Sequence, residues 1–106
     1  EKGPLSGSLF ENYLIADIYK QQLHLQTGHA LFYLRTQAKL EVDLIIDAKQ
    51  SKTYIEIKKS ASFSARMLTP IKQFITDADT GYLLYQGESR TLTQYIQLKH
   101  YTEYLA

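Results

Sequence analysis

Acidic and basic side chains alternate with aliphatic ones in residues 40–60, LEVDLIIDAKQSKTYIEIKKS. Asp43 stands in the first aliphatic run, and Glu56 and Lys58 stand in the second. Carboxylate oxygens are preferred ligands of divalent cations such as Mg²⁺. The residue types therefore suit a cation site, provided that the fold brings the two acids together.

The two aliphatic runs are predicted to form a β-hairpin. Period-two alternation is typical of strands, and the polar AKQS between the runs has the length of a hairpin loop. If Asp47 pairs with Lys52 across this loop, Asp43 lies directly opposite Glu56. Alternation places these two acids, Lys58 and Ile45 on one face; the other face carries Leu40, Val42, Leu44, Ile46, Ile55 and Ile57. We therefore expect one face of the hairpin to cover the core.

The polar face of the hairpin has two interpretations. Like charges directly opposite on a sheet cost some tenths of a kcal/mol, so a simply solvated face tolerates them. Alternatively, Asp43 and Glu56 converge on a divalent cation, which removes the repulsion. A register slip of two residues would instead set Asp43 opposite Lys58. Spacing does not decide between these interpretations.

An amphipathic helix is predicted from Leu9 to Leu25, with Gly28 as its C-terminal stop. Its apolar face consists of Phe10, Leu14, Ile15 and Ile18. Glu11 falls on that same face. Ser8 and Glu11 match a capping box, which would explain the acid as a helix cap. The other interpretation is that Glu11 joins the acids of the hairpin.

The remaining segments indicate an α/β layered domain with a mixed sheet. ALFYLR and GYLLYQ are typical of strands, and residues 60–78 predict a loop and a second helix. Within that segment, Thr69 and Pro70 suit an N-cap and a first helical position. The tail QYIQLKHYTEYLA predicts a short edge strand and a closing helix. The order is helix, three strands, helix and strand.

Composition bounds the class of protein. The 106 residues form one predicted domain, residues 1–106, with 44% hydrophobic residues and a net charge of +1. Cysteine is absent, which excludes thiolate metal sites and fits a cytoplasmic location. There is no apolar run of membrane-spanning length. The chain contains no G-x-x-x-x-G-K-[ST], so it cannot bind ATP through that loop.

Four motifs occur in an order that resembles a known prokaryotic family. They are GSLFENYL with Glu11, YLRT, EVDLII with Asp43, and IEIKKS with Glu56 and Lys58. Over roughly residues 7–85 the chain resembles the uncharacterised domain found at the C-terminal end of a group of AAA-type ATPases. That domain resembles the PD-(D/E)xK, or restriction-endonuclease-like, nuclease superfamily. The resemblance implies a core of helix, three strands, helix and strand. It also implies a chain excised from the C-terminal end of a longer ATPase, with the N-terminal ATPase domain as a partner.

The resemblance also implies a Mg²⁺- or Mn²⁺-dependent nuclease site. Glu11 matches the acid of the first helix, Asp43 the motif aspartate, and Glu56 with Lys58 the E-x-K pair. Asp43, Glu56 and the carbonyl of Ile57 would hold the metal, with Glu11 contributing directly or through water. Lys58 would polarise the attacking water or the phosphate.

Nucleic acid is the implied substrate, and Arg35 and Lys59 are the implied phosphate contacts. Because the net charge is nearly zero, a binding groove must concentrate its cations locally; the candidates are Lys39, Lys58, Lys59, Arg66 and Lys72. The TQAK turn before LEVD lacks the glycine usual in the family, and Val42 stands where the motif's name has proline. The alternative function is a non-catalytic module that binds DNA or a partner protein and regulates the attached ATPase. A basic cluster around Asp43 would favour hydrolysis, and an exposed apolar patch would favour the module.

Overall fold

A computed structural model describes residues 3–105, and for residues 3–6 and 8 it describes the backbone alone. The elements are α1 (Gly3–His24), β1 (Ala30–Arg35), β2 (Glu41–Asp47), β3 (Lys52–Ile57), a 3₁₀ turn (Ala65–Leu68), α2 (Thr69–Phe74), β4 (Thr80–Tyr85), β5 (Arg90–Thr91), β6 (Ile96–His100) and α3 (Tyr101–Leu105). Six strands form one sheet in the order β1-β2-β3-β4-β6-β5. The β3–β4 and β4–β6 pairs are parallel and the others antiparallel. The predicted α/β class and mixed sheet are confirmed.

Apolar clusters cover both faces of the sheet. On one face, α1 packs Leu14 and Ile18 against Leu44 and other strand residues. On the other face, the 3₁₀ turn and α2 pack against a cluster that includes Ile45 and Tyr54, which are 2% and 6% exposed. The expectation that only one face of the hairpin covers a core is therefore wrong. The polar site is confined to one end of the hairpin.

A β-bulge interrupts β2 where the motif aspartate lies. Tyr33 of β1 stands alone opposite both Asp43 and Leu44. The extra residue shifts the alternation, so that Val42 packs with Ile45 in the α2-side cluster while Leu44 packs under α1. The prediction that Val42 and Leu44 share a face is wrong for this reason. Bulges re-aim side chains, and this one lies at Asp43.

Helix α1 begins at Gly3, six residues before the predicted start at Leu9. Glu11 therefore lies inside the helix, and its backbone is too far from the N-terminus for the predicted capping box with Ser8. The glycines and Pro4 suggested a break, but a proline in the first helical turn costs no hydrogen bond. Glu11 needs an explanation other than capping.

The C-terminal stop of α1 is Gln26 and not Gly28. Gln26 has the left-handed φ of 55°. Its N–H donates to the Leu23 carbonyl at 3.1 Å, and the Thr27 N–H donates to the Gln22 carbonyl at 3.3 Å. This pair of bonds is the Schellman motif. The Gly28 φ of 72° belongs to the loop that follows.

Two predictions for the C-terminal half require correction. The N-cap of α2 is Leu68, so Thr69 is the first helical residue and Pro70 the second. The strand Ile96–His100 is not an edge strand, because it pairs with both β4 and the two-residue β5. The closing helix is confirmed as α3. Within residues 3–105 no helix has the length and hydropathy needed to cross a membrane.

Asp79 connects the loop before β4 to the start of β3. Its carboxylate accepts hydrogen bonds from the Lys52 amide at 2.8 Å, the Thr76 hydroxyl at 2.8 Å and the Thr76 amide at 3.0 Å. The side chain is 8% exposed. Burial alone would raise the pKa of Asp79, but the bonds from Thr76 and Lys52 together lower it. Sequence analysis assigned this acid no role.

We expect Asp79→Ala to lower the free energy of unfolding by about 1–3 kcal/mol, because two buried amides and a hydroxyl lose their acceptor. Urea unfolding monitored by circular dichroism measures this change. Asp77→Ala is the matched control, because Asp77 is exposed in the same loop and its replacement should change stability by less than about 0.5 kcal/mol. Equal losses in both variants would contradict this account of Asp79.

Candidate functional site

The hairpin register brings the predicted acids together. Asp47 pairs with Lys52, as predicted, and the ladder continues to the pair Leu44–Ile55. The same register sets Asp43 opposite Glu56 and excludes the two-residue slip. A cavity of about 350 Å³ opens at this end of the hairpin; it is lined by Glu11, Lys39, Glu41, Asp43, Glu56, Lys58, Arg66, Met67 and Pro70. We call it the carboxyl cavity. All four predicted catalytic residues line it.

Strands β2 and β3 separate at the carboxyl cavity. Their ladder ends at Leu44–Ile55, although β3 continues to Ile57. The Ile57 amide would meet a β2 carbonyl in a continued ladder, but it donates instead to Asp43 Oδ2 at 2.8 Å. The amide and carbonyl of one strand residue point toward the same neighbour. The carbonyl of Ile57 therefore faces the same opening as the Asp43 carboxylate.

Glu56 is a buried acid that is protonated at neutral pH. Its side chain is 3% exposed, and this burial is the main cause that raises its pKa to about 9. A side-chain hydrogen bond to Asp43 and the charge of Asp43 raise the pKa further. The charge of Lys58 and a bond from the Asp43 backbone amide oppose the shift. The protonated Glu56 therefore forms a hydrogen bond with the side chain of Asp43.

Glu11 is the third acid of this cluster. It is half-buried on α1, and burial is the largest cause that raises its pKa to about 7. The charge of Asp43 and a side-chain hydrogen bond to it add to the rise, as does the charge of Glu41, while Lys58 lowers the pKa. Asp43 is thus the common partner of both other acids.

The oxygen ligands of the carboxyl cavity suit a small cation that keeps several of its waters. Among residues 3–105 no group of three or more His, Cys, Asp or Glu side chains is arranged to hold a metal ion. A metal in the carboxyl cavity would depend on Asp43, Glu56 and the Ile57 carbonyl. Mg²⁺ is commonly held by one or two carboxylates and keeps several waters. Two carboxylates and one carbonyl are oxygen ligands of this kind, so the residues present fit Mg²⁺, provided that Glu56 gives up its proton.

The two predicted phosphate contacts do not line the carboxyl cavity. Arg35 Nε lies 3.3 Å from Glu41 Oε2 and contributes to a neighbouring groove. Lys59 is exposed beyond the end of β3. Of the five candidate cations, Lys39, Lys58 and Arg66 line the cavity. Glu41 was given no role in the sequence analysis, although it lies on the cavity two residues before Asp43.

Lys39 occupies a strained backbone position beside these acids. Its φ is 66°, a left-handed conformation that favours glycine. The turn is closed by bonds from the Lys39 amide to the Thr36 carbonyl and from the Thr36 amide to the Leu40 carbonyl, both 2.9 Å. The TQAK turn therefore has a lysine at the position where a glycine would be relaxed. The side chain of Lys39 lines the carboxyl cavity.

Comparison with known proteins identifies the family of this chain. No curated protein matches the sequence. The family model described as Domain of unknown function (DUF4143) matches residues 6–104. The match includes every element from within α1 to α3 and every residue of the carboxyl cavity. The chain therefore belongs to the DUF4143 family.

Proposed function

We propose that the chain is a restriction-endonuclease-like domain of the PD-(D/E)xK type, attached to an AAA-type ATPase, with a metal-dependent phosphodiesterase site that acts on nucleic acid. One observation carries the proposal: the carboxyl groups of half-buried Asp43 and buried Glu56 lie with Lys58 where β2 and β3 separate. The order α1, β1 to β3, α2 and β4 supports the proposed core. The cations that line the carboxyl cavity support a phosphate substrate.

The acids of the cavity would hold the metal. Asp43, Glu56 and the Ile57 carbonyl would be the ligands of Mg²⁺ or Mn²⁺, and Glu56 would release its proton on binding. When bound, such an ion would neutralise phosphate charge and lower the pKa of the attacking water. Glu11 would hydrogen-bond that water, because it lies beside Asp43 on the α1 side of the opening.

The cations of the cavity would position the phosphate. Lys58 extends from the end of β3 and lowers the pKa of both Glu11 and Glu56, so its charge reaches the whole cluster. In the proposed reaction Lys58 orients the phosphate or the attacking water. Lys39 and Arg66 would contact the phosphates on either side of the scissile bond.

Calorimetric titration of Mn²⁺ and Mg²⁺ tests the site without a guess about the substrate. The unsubstituted chain is expected to bind, with protons released because Glu56 is protonated beforehand. Asp43→Asn and Glu56→Gln are expected to abolish binding, and Asp77→Asn, which alters an exposed loop acid, to leave it unchanged. Binding that persists in both cavity variants, or millimolar metal with no heat for any chain, would contradict the metal site.

Lys39 and Lys49 provide a matched pair of substitutions for the phosphate role. Both have left-handed φ, 66° and 79°, but Lys49 lies in the hairpin loop at the far end from the cavity. Each change to glycine should raise the free energy of unfolding by about 0.5–1 kcal/mol, since the relieved strain exceeds the added chain entropy of glycine.

Only Lys39→Gly is expected to weaken binding of the chain to nucleic acid. The slope of log affinity against log salt concentration should fall by about one in this variant. Fluorescence anisotropy over a series of salt concentrations measures both quantities. If Lys39→Gly and Lys49→Gly bind alike, Lys39 does not contact phosphate.

A second function, the non-catalytic module, is favoured by exposed apolar side chains along α1 and just after it. Leu9, Tyr13, Leu23 and Leu25 are 59%, 60%, 66% and 61% exposed. Such a surface is typical of a docking site for another protein. The test is association of this chain with an AAA-type ATPase domain: Leu23→Gln with Leu25→Gln should abolish it and leave metal binding intact. Regulation of ATPase activity without any hydrolysis of nucleic acid would favour the module over the nuclease.

A further inference from the structure

A second groove lies next to the carboxyl cavity, between α1 and β1. It has a volume of about 470 Å³ and shares Glu11, Glu41 and Asp43 with the cavity. The groove also contains two exposed aromatic side chains, Tyr19 and Tyr33, which are 52% and 61% exposed. We call it the aromatic groove. Its volume is in the range of small-ligand sites, so it accommodates nucleotide-sized groups.

The position of these rings calls for a ligand. Tyr33 lies on β1, which is the edge of the sheet formed by the described residues. Tyr33 stands opposite the bulge at Asp43 and Leu44. The bulge that positions the acid thus also places a ring next to it. An exposed aromatic surface continuous with a polar cavity is suited to a ligand with both flat apolar faces and charge.

We propose that the aromatic groove binds single-stranded nucleic acid, with unpaired bases stacked on Tyr33 and Tyr19 and the adjoining phosphate in the carboxyl cavity. This inference rests on the proposed function, whose substrate class it narrows. Every unpaired base offers two faces to aromatic rings. In a duplex those faces are covered by the neighbouring base pairs, so the rings would have nothing to stack on.

The distribution of charge supports a single strand over a duplex. Arg35 is the one cation that lines the aromatic groove, and it is paired with Glu41. Lys39, Lys58 and Arg66 instead line the carboxyl cavity. Duplex binding depends on cations that follow the phosphates of both strands. Here the cations that attract phosphate lie at the cavity and the rings that stack bases lie in the groove. A single strand can use both surfaces at once.

Fluorescence anisotropy with a short labelled oligothymidylate tests the inference. Asp43→Asn serves as the background, because it removes the proposed cleavage and keeps the rings. We expect the single strand to bind more tightly than a duplex of equal length. Tyr33→Ala and Tyr19→Ala should each weaken binding about tenfold or more. Tyr33→Phe, which keeps the ring, should bind normally.

Two controls separate stacking from damage to the fold. Tyr13→Ala removes an α1 tyrosine that is 60% exposed and lies outside the groove lining, and it should leave binding unchanged. Thermal unfolding of each variant shows whether the fold is retained. Because Tyr19 and Tyr33 are exposed, their replacement is expected to shift the melting temperature little.

Several outcomes overturn the inference. Equal or tighter binding of the duplex, no binding of the single strand, or unchanged binding by the ring variants would each do so. If loss of the rings changed the sedimenting mass of the chain but not its binding of the oligonucleotide, this edge would instead pair with a second copy of the chain.

The inference and the proposed function fail in different ways. Metal-dependent cleavage of duplex that is indifferent to Tyr33→Ala would leave the nuclease and overturn the single-strand groove. Ring-dependent binding of the single strand, with no hydrolysis by the unsubstituted chain in Mg²⁺ or Mn²⁺, would leave the groove and overturn the nuclease.

Discussion

Replacement of Asp43 by asparagine is expected to abolish metal-dependent hydrolysis of nucleic acid by this chain. Asp43 hydrogen-bonds to both other acids, Glu11 and Glu56, and it also accepts the Ile57 amide at 2.8 Å. Loss of the metal removes several kcal/mol of transition-state stabilisation. At 1.36 kcal/mol for each factor of ten, the rate should fall by roughly a thousandfold or more.

The substitution should leave the fold intact. The amide oxygen of asparagine can still accept the Ile57 N–H. Loss of the Asp43 charge also removes a cause that raises the pKa of Glu11 and of Glu56. The free energy of unfolding is therefore expected to stay the same or to rise.

Cleavage of a labelled oligonucleotide in Mg²⁺ and in Mn²⁺ measures the effect. Asp47→Asn is the matched control, because Asp47 lies on the same strand at the end paired with Lys52, away from the cavity. It should retain activity. Cleavage that survives Asp43→Asn at a comparable rate would contradict the proposed mechanism and would assign the observed activity to another site or to a contaminant.

The metal-free chain is expected to lose stability as the pH rises from about 5 toward about 9. Glu56 has a pKa of about 9 in the folded chain and an ordinary value of 4.5. Between these values the folded state binds more protons than the unfolded state, so the free energy of unfolding falls with increasing pH. The stability that the protonated Glu56 contributes is complete below about pH 4.5. It is lost as the pH rises to the folded-state pKa of about 9. Glu11, with a pKa of about 7, contributes in the same direction.

Glu56→Gln should remove most of this dependence. Glutamine keeps the size and polarity of the protonated acid but cannot ionise. Because one pKa unit corresponds to 1.36 kcal/mol, the variant should be more stable than the unsubstituted chain by several kcal/mol at the alkaline end of this range. Urea unfolding in EDTA across the pH range measures this difference.

Two further measurements complete this experiment. Addition of Mg²⁺ at alkaline pH should restore stability to the unsubstituted chain but not to Glu56→Gln, because only the folded cavity binds the ion. Asp79 titrates with the opposite sign: its lowered pKa contributes stability that is lost as the pH falls into the acid range. A free energy of unfolding that is constant between about pH 5 and about pH 9 would contradict a buried, protonated Glu56.

Local pattern determined much of the hairpin. Strict alternation identified β2 and β3, and a four-residue loop set the pairing of Asp47 with Lys52. With that pairing, arithmetic alone placed Asp43 opposite Glu56. The α/β class also followed from the order of elements. These features depend on residues close together in the chain, which is why periodicity and turn length predict them.

Tertiary structure decided where the site lies and what surrounds it. The bulge at Asp43 depends on the pairing of β2 with β1, and the burial of Tyr54 depends on α2, so neither follows from alternation within β2 or β3. Whether a cation lies on the cavity, as Lys39 does, or beyond it, as Lys59 does, depends on how separate elements pack. The sequence left two interpretations of Glu11, a helix cap or a member of the acid cluster. The pKa of Glu11 is raised first by burial and then by Asp43, which is distant in the chain and is brought close only by folding.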